Sequence, residues 1–96
     1  MFTIQEYTVE TVADPFRILE GERYEFMIDV EVEEDDELFH EEGVRLRVVY
    51  AVIDGNGKVV RYEFQTAGTG AYLDIEMEDD ELVMVEKFCA DSFKDA

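Results

Sequence analysis

Glu22-Arg23-Tyr24-Glu25-Phe26-Met27-Ile28-Asp29-Val30-Glu31-Val32-Glu33 is the stretch that decides the fold. Tyr24, Phe26, Ile28, Val30 and Val32 share one parity, and Glu25, Met27, Asp29, Glu31 and Glu33 share the other. Side chains of an extended chain point alternately to opposite faces, so this pattern specifies a β-strand that is covered on one side and acidic on the other. The rest of the chain must supply both the neighbouring strands and the cover.

Working towards the N-terminus, Phe2 and Ile4 fall on one parity and Tyr7 and Val9 on the other. A single strand there requires a bulge near Gln5 and Glu6. Between the two strands, Asp14 is placed to cap one helical turn with Pro15 at its first position, and Gly21 to end it in the left-handed conformation. Phe16, Ile18 and Leu19 then face the core.

Working towards the C-terminus, Val44 to Asp54 and Lys58 to Thr66 are β-rich runs separated by Gly55-Asn56-Gly57, a hairpin signal because Asn and Gly accept positive φ. Two registers are open. A two-residue loop pairs Val49, Ala51 and Ile53 with Phe64, Tyr62 and Val60, and a three-residue loop pairs Val48, Tyr50 and Val52 with the same three. Apolar residues on both parities of Val44 to Ile53 place that strand at the sheet centre. After a turn at Gly68-Thr69-Gly70, Leu73, Ile75 and Met77 alternate with Tyr72, Asp74, Glu76 and Glu78 as a fifth strand. From Asp80 the period changes: Leu82, Val85, Phe88, Cys89 and Phe93 recur at helical spacing, and Asp79, Asp80 and Glu81 suit the positive end of a helix dipole. The expected architecture is α+β, an antiparallel sheet of four or five strands with one C-terminal helix packed on one face, in one domain spanning 1–96.

Leu, Ile, Val and Phe make up 29 of the 96 residues, enough apolar material for a folded core. Twenty-six acidic residues against eight basic ones give a net charge of -18. Self-repulsion at that density opposes the compact state, so added salt is expected to stabilise the fold. The basic residues Arg17, Arg23, Arg45, Arg47, Lys58, Arg61, Lys87 and Lys94 form no run. Nucleic acid and anionic lipid both demand clustered Lys and Arg, so no direct nucleic-acid binding is expected and a basic protein is the favoured partner. The lone cysteine, Cys89, has no intramolecular disulfide partner, and Met1 to Glu6 lacks the basic start and apolar stretch of a secretory signal, which favours a cytoplasmic setting. No membrane association is expected, since the longest apolar run, Val48 to Ile53, is far shorter than the roughly 20 residues of a membrane helix. A sheet this small exposes edges while acidic strands repel their own copies, so the chain is expected to be a monomer or a weak homodimer.

Two acidic segments hold 14 of the 26 acids: Glu31 to Glu42 carries eight and Asp74 to Glu81 six. The first is the candidate interaction site, with Glu33, Glu34, Asp35, Asp36, Glu37, Glu41 and Glu42 flanking the apolar Leu38 and Phe39. An acidic segment with an apolar anchor is one half of a recognition surface for a basic, partly apolar groove. The competing reading is a solvated loop whose Leu38 and Phe39 fold back onto the sheet. Nothing specifies a metal centre or a cofactor. Asp54, Asn56, Gly57, Val59 and Glu63 fall at positions 3, 5, 6, 8 and 12 of a calcium loop, but Val52 stands at position 1 and the flanks alternate as strands. No catalytic constellation emerges: His40 is the only histidine, Ser92 the only serine, and Cys89 lies on the apolar helix face, where burial raises a thiol pKa. Neither glycine-rich turn precedes Lys-Ser/Thr or a helix start, so neither cradles phosphate. The preferred reading is a non-enzymatic module whose acidic surface binds a basic protein, in one version as a nucleic-acid mimic. A small-ligand binder or small enzyme using a sheet-helix cleft is the alternative, followed by weak divalent cation binding.

Tyr7-Thr8-Val9-Glu10, Asp14-Pro15-Phe16, Leu19, the run from Gly21 to Phe26 and Asp35-Asp36-Glu37-Leu38 together resemble an uncharacterised family of small acidic proteins from Bacillus-like, spore-forming bacteria. These are fold-determining elements, a capped turn and a strand start. The resemblance implies a cytoplasmic bacterial origin and carries over no functional residue.

Overall fold

The computed structural model describes residues 2–13 and 21–96. Five strands, β1 (Thr3–Thr11), β2 (Glu22–Glu31), β3 (Val44–Ile53), β4 (Asn56–Thr66) and β5 (Tyr72–Leu73), precede the helix α1 (Asp79–Ser92) and a closing 3-10 turn (Phe93–Asp95). The strands lie in chain order, β1-β2-β3-β4-β5, with every neighbouring pair antiparallel. β3 is therefore central, as its two-sided apolar pattern requires. The capped turn expected from Asp14 lies outside the described residues, while Gly21 has the left-handed φ of 68° foreseen for it.

The alternation in β2 builds the core. Phe26 faces Val9 on one side and Val48 on the other, and Ile28 faces Tyr7 and Leu46, so three strands present one continuous apolar face. Phe26, Ile28, Leu46 and Val48 are fully buried. The parity change in β1 is resolved by the expected bulge, a register shift between Ile4 and Glu6.

Helix α1 lies across this face. Its Phe88 ring meets Tyr7 edge-on at 4.8 Å and Phe26 at 6.1 Å, and Phe93 reaches Tyr24 at 5.2 Å and Tyr50 at 6.0 Å. Val85 and Cys89 are completely buried between helix and sheet. The Glu81 carboxylate accepts the Glu78 backbone N–H at 2.9 Å, and Asp79, Asp80 and Glu81 form the acidic first turn.

The opposite face of the sheet is charged. Arg45 pairs with Asp29 at 3.0 Å, and Arg47 bridges Glu25 at 2.8 Å and Glu63 at 3.3 Å across three strands. Arg23, Lys58 and Arg61 lie on the same sheet, with Arg23 and Lys58 on either side of Ala51 and Arg61 opposite Val49.

Two expectations are corrected. The hairpin adopts neither anticipated register: its two-residue turn is Asp54-Gly55, with φ of 53° and 81°, and Ile53 pairs with Asn56. Both central residues of such a turn need positive φ, which Asp and Gly supply as well as Asn and Gly do. Gly57 serves a different purpose: it lies under the Tyr50 side chain, and a Cβ there would collide with the Tyr50 hydroxyl and ring. A shift between Val49 and Tyr50, with Val60 as the extra residue on β4, then sets Val48 opposite Tyr62 and Leu46 opposite Phe64. The fifth strand is also shorter than its alternation implies. Only Tyr72 and Leu73 pair with β4. The Ile75 N–H donates back to the Leu73 carbonyl at 2.9 Å, a tight turn about Asp74 that takes the chain off the sheet. Ile75 and Met77 still pack on the core, so the period of two records which side of the segment is buried and not sheet pairing.

Candidate interaction surface

The first acidic segment is wound into successive tight turns. Asp36 N–H donates to the Glu33 carbonyl at 3.0 Å, Phe39 N–H to the Asp36 carbonyl at 2.9 Å, and Leu38 N–H to the Asp36 carboxylate at 2.9 Å. Gly43 N–H donates to the His40 carbonyl at 3.0 Å, and Ala67 N–H to the Gly43 carbonyl at 3.0 Å, which ties the end of the loop to the turn after β4. Backbone groups of this loop are thus satisfied locally by Asx-type and backbone turns, a role short acidic side chains fill well.

Leu38 is the pin that seats the loop. It is 6% exposed and belongs to the core cluster, so the expected exposed Leu38-Phe39 anchor is half corrected: Leu38 folds inward and Phe39 alone stays outside at 38% exposure. Burying Leu38 carries Asp36 and Glu37 against the segment that leads into α1. There they line a cavity of about 100 Å³ together with Glu76, Glu78 and Glu81, over Phe64 and Ile75. The two acidic segments therefore meet, at the end of the sheet where β5 departs.

The remaining expected residues disperse around that end. Phe39, Glu34 and Glu41 border a second concavity with Glu31 and His40, beside the β2–β3 connection. Glu42 lies over Gly68, and Glu33 and Asp35 are exposed. Five carboxylates in one place raise the local negative potential, because the fields of like charges add where low-dielectric walls limit screening. They are not spaced as a chelate: among the described residues no three His, Cys, Asp or Glu side chains converge so as to hold a metal ion. The His40 Nδ1 accepts the Glu42 N–H at 3.2 Å, and burial pushes the Cys89 thiol up to about 12.

The sheet-helix cleft of the alternative reading has a counterpart, at a position that no sequence motif marked. Where β5 leaves β4, a cleft of about 350 Å³ opens between Val60 and Tyr62 on one side and Tyr72, Ile75 and Leu82 on the other. Reading 72–78 as a full strand covers this edge and hides the cleft. No helix among the described residues is long and apolar enough to cross a membrane.

A family model described as a family of unknown function, DUF6509, matches residues 2–96, so the chain belongs to that family. No curated protein and no solved structure matches it.

Proposed function

We propose that this member of a family of unknown function is a non-enzymatic interaction module of the bacterial cytoplasm whose acidic surface binds a basic protein. The observation that supports the reading is the meeting of Asp36 and Glu37 with Glu76, Glu78 and Glu81 at one end of the sheet. A net charge of -18 gives a long-range field that steers a basic partner, and the carboxylate cluster gives that field a focus. In one version the cluster occupies the phosphate-binding surface of a nucleic-acid-binding protein, as dense negative charge on a rigid frame imitates a phosphate row. Under Phe88 and Phe93 the space between α1 and the sheet is filled by Tyr7, Phe26 and Tyr50, and the cleft between Leu82 and β4 lies apart from that packing, at the sheet edge.

The test starts from capture in a nuclease-treated lysate beside a scrambled acidic control of equal charge. Association of the captured protein is then measured with Glu33→Gln, Asp35→Asn, Glu37→Gln and Glu76→Gln combined, which spares the turn-forming Asp36 and the helix-capping Glu81. The on-rate should fall at least about tenfold at low ionic strength, with the gap closing as salt rises. Unchanged kinetics in the variant, or capture equal to that of the scrambled control, would overturn the proposal. Loss of the partner to added duplex DNA would select the mimic version.

A further inference from the structure

Among the described residues β4 is covered on this side only at Phe64 and Gln65, by β5, so β4 from Lys58 to Glu63 is a sheet edge. Such an edge presents backbone N–H and C=O groups that a second extended chain can take up. Part of it is guarded. The Val59 N–H donates to the Glu86 carboxylate at 3.1 Å, and the extra residue Val60 interrupts the ladder. Val60 to Glu63 is left, a span of roughly 13 Å at the usual strand rise. It begins where the chain turns off at Asp74, and the cleft described above lies alongside it.

Two further features mark the cleft. Val60 and Tyr72, at 40% and 63% exposure, are two of the four large apolar side chains left exposed among the described residues, and both line it. Ile75 and Glu76 border both the cleft and the five-carboxylate cavity, so a groove of mixed lining, with Arg61 and Glu63 beside its apolar residues, runs directly into the carboxylate cluster.

We infer that this edge docks an extended segment of the basic partner, which takes the place vacated by β5, sets an apolar side chain against Val60 and Tyr72, and carries Lys or Arg over Glu76 to the carboxylates. The inference rests on the acidic-surface reading and specifies which part of the partner is recognised. Charge complementarity selects this occupant: the groove ends among Glu76, Glu78, Glu81, Asp36 and Glu37, and an apolar segment without basic residues would leave those charges unmatched. A second copy of the chain fits poorly. The first antiparallel β4–β4 register that keeps each β4 clear of the other's β5 sets Arg61 opposite Lys58, and like charges directly opposite destabilise a pair.

The experiment titrates the ¹⁵N-labelled protein with a nine-residue peptide alternating lysine with valine or leucine. A second peptide of identical sequence carries N-methyl groups on alternate residues, which keep its charge and remove the hydrogen-bond donors of one edge. The unmodified peptide should bind at least tenfold more tightly, with amide shifts concentrated on residues 60–63. Val60→Lys, and separately Tyr72→Ala, should each weaken it severalfold, both being surface positions that leave the core intact. Equal binding of the two peptides, with shifts spread over the acidic loop, would overturn edge docking and leave the acidic-surface reading standing. No binding of either peptide even at low salt would overturn both.

Discussion

Gly57→Ala tests the hairpin register on which the β4 edge depends. Gly57 pairs with Val52, and its neighbour on the same face of β3 is Tyr50, whose ring covers it. A methyl group at residue 57 would overlap the Tyr50 hydroxyl and Cζ and come within 2.9 Å of Cε2. The ring has little room to retreat: Tyr50 is 3% exposed and is held by Phe93 at 6.0 Å and Phe26 at 6.5 Å. Overpacking of this kind costs about 1–3 kcal/mol. The reduced freedom of alanine in the unfolded chain returns roughly 0.4–1 kcal/mol, leaving a net loss of about 1–2 kcal/mol. For a chain of this size that lowers Tm by about 5–15 °C. Urea denaturation should show a lower midpoint at unchanged m-value, because the unfolded state exposes the same surface. In a Tyr50→Leu background the same substitution should become nearly neutral, giving a coupling of about 1–2 kcal/mol in the double-mutant cycle. A loss under about 0.5 kcal/mol in the native background, or an equal loss in both, would refute the overlap and with it the register.

Further outcomes follow from the charge and burial described above. With net charge -18, raising NaCl from low to moderate concentration should raise Tm, and a flat or falling Tm would contradict self-repulsion as a destabilising force. Cys89, pushed from 9.0 up to about 12, favours the neutral thiol in the folded state. Above pH about 9 the unfolded chain therefore binds fewer protons than the native one, and the thiol's contribution, fully present below that pH, is lost progressively towards pH 12. Denaturation of native and Cys89→Ala protein across this range should converge as pH rises, and a constant difference would refute the assignment. In native buffer at pH 8 the thiol should also resist a colorimetric disulfide reagent until the chain is unfolded. Arg47→Gln removes a cation that pairs with both Glu25 and Glu63, so stability should fall by about 0.5–1 kcal/mol at low salt and by less at high salt, as partly exposed pairs are screened. No salt dependence would show the bridge to be energetically silent.

Much of the fold was legible because local pattern and tertiary burial agree. Tyr24 to Val30 read as a strand and form one, the parity break at Gln5 and Glu6 reads as a bulge and is one, and Leu82 to Phe93 read as the covering helix. The misreadings share a cause: one-dimensional patterns report burial, not the identity of the neighbour. Ile75 and Met77 alternate because the core lies beneath them, although among the described residues no strand pairs beside them. Asp54-Gly55 and Asn56-Gly57 are equivalent turn signals locally, and a contact with Tyr50 across the hairpin decides between them. The acidic segments were visible as segments, but their meeting depends on the burial of Leu38, which neighbouring charges disguised. The cleft at the β4 edge arises from a departure of backbone, and composition carries no trace of that.

The strand order has a consequence for how the molecule is made. Each strand lies beside the one synthesised before it, so the meander grows in the direction of translation, and the helix that covers it follows all five strands. Until residues 79–96 have been added, Phe26, Ile28, Leu46 and Val48 lack the helix that covers them, and at about 5–20 residues per second that segment takes roughly 1–4 s to add. Before it is added, any part of that sheet that has formed leaves its apolar face exposed to other chains. The carboxylates of the 31–42 loop are made before the helix, and their like charge opposes the approach of two such uncovered chains.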